Sequence, residues 1–251
     1  MSSMPNSPVV NVVVQARASS TRLPGKVLRP LGGRSVLGWV VRAAHEALRP
    51  GQGRVVVATS EAADDDAVAD EAALHGADVV RGPLDDVLGR FLLACERHPA
   101  DAVIRLTADC PLLDPALIGR LTALWLADPS LDYVSTTLVR TLPRGFDAEL
   151  VRVPVLFEQG EVPHGPHREH VTYGVYGDPL RYSCEGLVVA PPADDLRVTL
   201  DTAADWDLLT GVVAELGDRP PRWQDVVALL RARPDLVALN AGVEQKEAGT
   251  A

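Results

Sequence analysis

QARASSTRLPGKVL, residues 15–28, decides the fold through what stands on either side of it. Before it runs VVNVVV (9–14), too short and too uniformly apolar for an amphipathic helix, and so a buried strand. After it, Ser35 can cap a helix that carries Leu37, Val40, Val41, Ala44 and Leu48 on one face. A buried strand, a polar loop and an amphipathic helix form one unit of an α/β sheet. The loop then lies at the carboxyl end of its strand, where open α/β sheets bind ligands.

The unit repeats. RVVVAT (54–59) is a second short strand, followed by an acidic, Ala-rich helix through Leu74 and a strand at 78–80. Pro83 is expected to open a helix with Leu84, Leu88, Phe91 and Cys95 at one-face spacing. DAVIRL (101–106) is a strand, Asp114-Pro115 starts a helix, and DYVST (132–136) is the next strand. LRVTL (196–200) is expected as a late strand, and Asp201-Thr202 as the start of a helix with Trp206, Leu209, Val213 and Leu216 inward. Short apolar strands alternating with amphipathic helices predict a mostly parallel sheet covered on both faces. The alternation breaks over about 136–195, a stretch rich in Pro, Gly, His and Arg that reads as an inserted lobe. Residues 1–239 form one domain in this reading, and 240–251 a frayed tail.

Bulk properties exclude several functions. The 251 residues are 47% hydrophobic, enough for a sizeable core, and carry a net charge of −10, which argues against bulk attraction to nucleic acid. Three cysteines without CxxC spacing suit a reducing cytoplasm and make no zinc or disulfide framework. No apolar run approaches the roughly 20 residues that span a membrane, and no signal peptide is expected at the amino terminus.

The polar clusters at strand ends carry the chemistry. The first loop has neither GxGxxG nor GxxxxGK[ST], yet it holds what a triphosphate needs. Ala16, Ala18, Ser19 and Ser20 are small enough for backbone N–H groups to approach phosphate oxygens. Arg17 and Arg22 can fork onto such oxygens, and the Pro24-Gly25 turn folds Lys26 toward the same place. The chain has 24 basic residues, of which two are lysines, Lys26 and Lys246, so a compact ammonium is kept in this loop. A solvated basic loop is the plain alternative.

Asp109 and Asp201, at two further strand ends, are the acidic counterpart, and two carboxylates beside phosphate suit Mg²⁺. Asp201 could instead be a helix cap, unless Thr202 takes that place. In HGPHREH (164–170), Gly165-Pro166 breaks the helix a zinc site would need. His164, His167 and His170 then read as part of a lobe for an anionic substrate or a polar dimer loop. Arg144 in LPRGFD (142–147) could grip a carboxylate or phosphonate, or be an exposed turn arginine. Cys110 reads as packing.

These blocks, taken with RGPLDDVLGRF (81–91), RLTADCPLLDP (105–115), REHVT (168–172) and LRVTLDTAADW (196–206), resemble in order the cytidylyltransferases related to the spore-coat protein SpsF. The resemblance extends more distantly to CMP-sugar-acid synthetases and covers about residues 9–215. It implies a Rossmann-like nucleotidyltransferase fold and the reaction of CTP with an acidic acceptor to give a CMP conjugate and pyrophosphate, with Mg²⁺. Arg17 and Lys26 match the family's triphosphate contacts, and Asp109 and Asp201 its metal-binding aspartates. The implied nucleotide set is Gln15, Ala16, Arg17, Ser20, Arg22, Lys26, Thr59, Arg81, Gly82, Arg105 and Thr107. Arg144, His167, Arg168 and Glu169 fall in the blocks that face the acceptor. The family's usual Met-Gly after QAR is Ala18-Ser19 here, and Tyr173-Gly174 follows REHVT where proline is common.

In the implied mechanism, Lys26 and Arg17 act on charge developing at the attacked phosphorus. The expected acceptor is a small phosphonate such as phosphonoformate, as in antibiotic biosynthesis. The alternative is a sugar acid or sugar derivative for surface or spore-coat polysaccharide. A non-catalytic nucleotide-binding module, a guanylyl- or uridylyltransferase and a plain dimerisation domain are the remaining alternatives. A cytoplasmic homodimer, paired through the lobe, is expected.

Overall fold

The structure is a computed structural model, and it describes residues 8–244. Lys246 and residues 245–251 of the tail expected at 240–251 lie outside the described residues. In chain order the elements begin with strand β1 (Val10–Gln15), the hairpin strands β2 (Pro30–Leu31) and β3 (Arg34–Ser35), and helix α1 (Val36–Ala47). There follow β4 (Val55–Ser60), α2 (Asp66–Leu74), β5 (Asp78–Gly82), α3 (Val87–Arg97), β6 (Ala102–Thr107), α4 (Pro115–Ala127) and β7 (Tyr133–Ser135). Then come β8 (Glu149–Arg152), α5 (Val153–Gly160), the short α6 (His167–His170) and α7 (Tyr173–Tyr176), and β9 (Cys184–Gly186). Helices α8 (Ala203–Leu216), α9 (Trp223–Ala232) and α10 (Pro234–Asn240) finish it.

Seven strands form one sheet in the order β5-β4-β1-β6-β8-β7-β9, and only β8 runs antiparallel to its neighbours. Strand alternation splits β1 between two cores. Val10, Val12 and Val14 pack with α1, α2 and α4, while Val13 packs with α3 and α5 on the other face. A third cluster joins α8, α9 and α10 to Leu31, Trp39 and Phe146. From β1 the chain goes outward to β4 and β5, then returns to β6 on the other side. The switch opens a crevice where Gln15 stands opposite Thr107, at the carboxyl ends of β1 and β6.

Four expectations need correcting. The helix expected from Pro83 starts at Val87, because Asp86, not Pro83, caps it through the Gly89 N–H at 2.8 Å. Leu84 is left in a turn. LRVTL does not enter the sheet. Arg144 and Arg197 form an isolated bridge, with Val198 N–H donating to Arg144 O at 2.7 Å and Leu200 N–H to Asp109 O at 2.8 Å. Its apolar side is spent on the α8–α9 cluster. The 136–195 stretch is only partly an insertion, since it supplies β8 and β9 to the sheet. Asn240 is buried, ends α10, and donates through Nδ2 to Asp205 Oδ1 at 2.8 Å, so it is not frayed.

Candidate active site

The crevice widens into a cleft of about 620 Å³. Gln15, Ala16, Arg17, Ser20, Arg22, Lys26, Thr107, Asp109, Glu169, His170 and Asp201 line it, so the fold gathers ten of the expected site residues and His170 around one space. A second depression, at Val9, Gly53 and His98, lies at the amino ends of the strands and holds none of them.

The loop is shaped by its own backbone and by one buried carboxylate. Asp65 Oδ1 accepts from Ala18 N–H at 2.6 Å, and its Oδ2 takes the amide of Ser60 at 3.1 Å and the Ser60 hydroxyl. Gly25 N–H donates to Ala18 O at 3.0 Å, closing the loop. Gly25 has φ +66°, the left-handed region that costs glycine least, and from there the chain turns Lys26 inward.

Lys26 reaches the acidic pair. Its Nζ donates to Asp109 Oδ2 at 2.8 Å, Asp201 Oδ1 at 2.9 Å and Leu200 O at 2.7 Å, which uses all three ammonium donors. Burial alone would lower the Lys26 pKa, but the Asp109 and Asp201 charges outweigh it and hold the ammonium above the usual lysine range. Burial likewise opposes ionisation of Asp201, and Lys26, then Arg197 and Arg22, overcome it and hold the carboxyl below its ordinary value. Arg197 Nη2 donates to Asp201 Oδ2 at 2.7 Å, and Arg22 Nη2 lies 3.2 Å from the same oxygen.

The placing of Asp201 follows from sequence-local bonding. Thr202 is the cap of α8, in a capping box with Asp205, so Asp201 is released from capping. Asp205, wholly buried, accepts from the amides of Asp201 at 3.0 Å and Thr202 at 2.9 Å and from Arg197 Nε at 2.9 Å. Asp109 is brought opposite because its carbonyl receives Leu200 N–H and, at 3.2 Å, the Thr199 hydroxyl.

A divalent cation fits this donor set. Both carboxylates converge on one cation-sized position, already taken by an ammonium, with a carbonyl beside them, and hard oxygen ligands of this kind suit Mg²⁺ when phosphate and water complete the shell. Among the described residues no group of three or more His, Cys, Asp or Glu could hold a metal ion. Burial, with Asp109 adding to it, pushes the Cys110 thiol well above its usual value, which fits a packing role.

Other expected residues stand outside the cleft lining. Thr59 is fully buried, with Oγ1 unpartnered among the described residues. Arg81 donates to Ser60 O at 2.8 Å and Ala62 O at 2.9 Å and pairs with Asp66 at 2.6 Å. Gly82 lets α3 pack close, since a Cβ there would stand 2.9 Å from Leu93 Cδ1. Arg105 pairs with buried Glu149 and donates to Gln15 Oε1 at 2.9 Å, supporting the cleft wall from behind. His167 is buried, with Nε2 3.0 Å from Val162 O. Arg168 pairs with Asp86. Arg144 sits at the bridge to Arg197.

Arg90, Arg197, Asp205, Asp65 and Glu149 are site or support residues that sequence reading did not single out. Of these Asp205 had a visible signal, three residues after Thr202 in the pattern of a capping box.

Comparison with known proteins agrees with this geometry. A protein-family profile described as "Cytidylyltransferase" matches residues 11–150. The spore coat polysaccharide biosynthesis protein SpsF of Bacillus subtilis is 32% identical over 231 residues, 89% of this chain and 94% of that protein. A 3-deoxy-manno-octulosonate cytidylyltransferase of Maricaulis maris is 38% identical over 133 residues, 51% of this chain and 49% of that protein. The solved structure of a cytidylyltransferase from Leptospira borgpetersenii superposes with a TM-score of 0.86 at 26% identity, covering 96% of this chain and all of that one (100%).

Proposed function

Because the chain belongs to the cytidylyltransferase family, we propose that it transfers CMP from CTP to an oxygen of an anionic acceptor and releases pyrophosphate. One observation carries the reading: the cleft presents a small-residue loop and Arg17, unpaired among the described residues, on one side, and Asp109 and Asp201 gathered on Lys26 on the other.

The acceptor oxygen forms its bond to the α-phosphorus while the bond from that phosphorus to the pyrophosphate oxygen breaks. Negative charge grows on the phosphoryl and leaving oxygens. Arg17 faces the cleft with no hydrogen bond or ion pair among the described residues, and is assigned to that charge. Lys26 bonds both carboxylates and holds them in register. Mg²⁺ bound by Asp109 and Asp201 would add charge neutralisation at phosphate oxygens. An ionised acceptor oxygen needs no general base, and a sugar hydroxyl would pass its proton to solvent or to the Glu169 carboxylate on the cleft wall.

The acceptor side favours a sugar acid or sugar derivative over a phosphonate. Of the cations expected there, Arg168 is paired with Asp86 and His167 is bonded to a carbonyl. The cleft wall offers Glu169 and His170 instead, and a carboxylate suits an acceptor's hydroxyls better than a phosphonate's oxyanions. SpsF and the octulosonate enzyme carry polysaccharide and sugar-acid roles in their names. A second copy of the chain would pair through exposed Leu138, Val139 and Val188, near the edge strand β9; a monomer by light scattering excludes this. No described helix is long and apolar enough to cross a membrane.

The test is pyrophosphate release with CTP and Mg²⁺ across 2-keto sugar acids, phosphonoformate and other small phosphonates, with ATP, GTP and UTP as controls. Release with CTP and a sugar acid is expected. Release with phosphonoformate alone overturns the acceptor reading, and failure to bind CTP overturns the cytidylyl reading.

A further inference from the structure

One wall of the cleft holds an arginine that the motifs do not explain. Arg90, on α3, is 2% exposed, yet it makes no ion pair among the described residues. Its Nη1 donates to the carbonyls of Pro83 at 2.6 Å and Leu84 at 2.8 Å. Its Nε has no hydrogen-bond partner among the described residues. Two carbonyls serve one nitrogen of a group with five N–H donors, and buried arginines are ordinarily paired. Gly82 makes room for the stem, since a Cβ there would come 3.2 Å from Arg90 Cγ.

The surroundings sharpen the problem. Arg17 lines the same cleft, exposed and without a hydrogen bond or ion pair among the described residues. Burial first, and then the Arg17 charge, hold Arg90 below the usual arginine range. Asp65, Asp86 and the exposed Asp85 attract Arg90 without pairing with it, and the first two are committed elsewhere. Asp65 holds Ser60 and Ala18, and Asp86 caps α3 and pairs with Arg168. Two cations therefore line one cavity with no ion-paired carboxylate among the described residues. An anion placed between them relieves both the repulsion and the unmet donors.

We propose that Arg90 is a substrate-binding residue that, together with Arg17, seats a phosphate oxygen of the nucleotide inside the cleft. The phosphate chain is the occupant rather than the acceptor because Arg17 belongs to the small-residue loop at the end of β1, which offers its amides to the same space. The proposal rests on the nucleotidyl-transfer reading.

The experiment measures binding of CTP, cytidine and inorganic pyrophosphate to the full chain by calorimetry, for wild type, Arg90→Met and Arg90→Lys. Losing one charge-assisted contact weakens binding roughly 10- to 100-fold. The expected result is that loss for CTP and pyrophosphate in Arg90→Met, with cytidine unchanged and partial recovery in Arg90→Lys. Unchanged cytidine binding and melting temperature show that the Pro83–Leu84 turn still stands. Equal losses for CTP and cytidine in both variants would make Arg90 a structural tie and overturn the proposal. Unchanged CTP and pyrophosphate binding overturns it too, even if turnover falls, since the anion would then be the acceptor's. Wild type that binds pyrophosphate through Arg90 but not CTP would sink the cytidylyl reading and leave the anion seat standing.

Discussion

The ammonium of Lys26 stands 2.8 Å from Asp109 Oδ2, so this lysine is a counter-ion to the acidic pair before it is a contact for phosphate. Its retention in an arginine-rich chain then has a geometric reason. One nitrogen meets Asp109, Asp201 and Leu200 O from a single point, which a planar guanidinium cannot do.

Lys26→Met is expected to lower turnover about 10²–10³-fold. It leaves two carboxylates facing one another without their shared cation. Lys26→Arg is expected to recover little of that loss. Steady-state pyrophosphate release checks both, with circular dichroism to confirm the fold; a loss of only a few-fold in Lys26→Met would contradict the role.

The same charges set the pH limits of stability. Asp201 and Asp205 have lowered pKa values, in each case because partner bonds and charges outweigh burial. A carboxylate held low contributes stability above its unfolded value of about 4, and that contribution is lost as pH falls through the folded value. Lys26 is held high, so its contribution is full below about pH 10.4 and is lost as pH rises through its folded value. Urea midpoints are therefore expected to be flat near neutrality and to fall in acid and in strong base. Asp201→Asn should flatten part of the acid limb. Superimposable acid limbs would show that Asp201 carries none of this linkage.

Gly145 is where the backbone must be bare. Its φ is +108°, and a Cβ there would stand 2.6 Å from the carbonyl carbon of Val198 and 2.7 Å from Thr199 N. The segment it would push away is the one that delivers Asp201 to Asp109. Gly145→Ala is expected to cost roughly 1–3 kcal/mol of stability. It should also lower kcat more than it weakens CTP binding, because the loop at 15–26 is untouched. Urea denaturation, steady-state pyrophosphate release and CTP calorimetry test this, and equal losses in kcat and in CTP affinity would argue against displacement of Asp201.

Much of this was legible from local pattern. Period and caps located β1, α1, β4, β6 and α4, and the strand-end rule brought Arg17, Lys26 and Asp109 together, while Asp201 joins them from a segment outside the sheet. What was not legible depends on long-range pairing. LRVTL has the composition of a strand, but its amides go to Asp109 and Arg144, which lie far away in sequence. β8 is four residues long and antiparallel, so no helix crossover announces it. Arg168 and His167 read as acceptor contacts because their partners, Asp86 and Val162 O, are visible only in three dimensions. Arg90 was hidden in an amphipathic helix, where a basic residue normally marks the solvent face.

Glu149 shows how far support for the site extends beneath the cleft. It is buried, pairs with Arg105, and accepts from the Tyr133 hydroxyl and the Thr172 hydroxyl, each at 2.6 Å. Burial opposes its ionisation, and the Arg105 charge with these bonds holds it below the ordinary carboxylate value. Arg105 in turn holds Gln15 Oε1, which leaves the Gln15 amide nitrogen to donate. Breaking one side of a buried pair costs about 3–5 kcal/mol, whereas a single bond to a charged group is worth about 1.5–3 kcal/mol. Glu149→Gln is therefore expected to destabilise more than Tyr133→Phe, because it strands the Arg105 charge as well as losing bonds. It should also weaken CTP binding, since Gln15 lines the cleft. Chemical denaturation ranks the two variants. If Tyr133→Phe proved as costly as Glu149→Gln, the buried charge would not be what the network is built to satisfy.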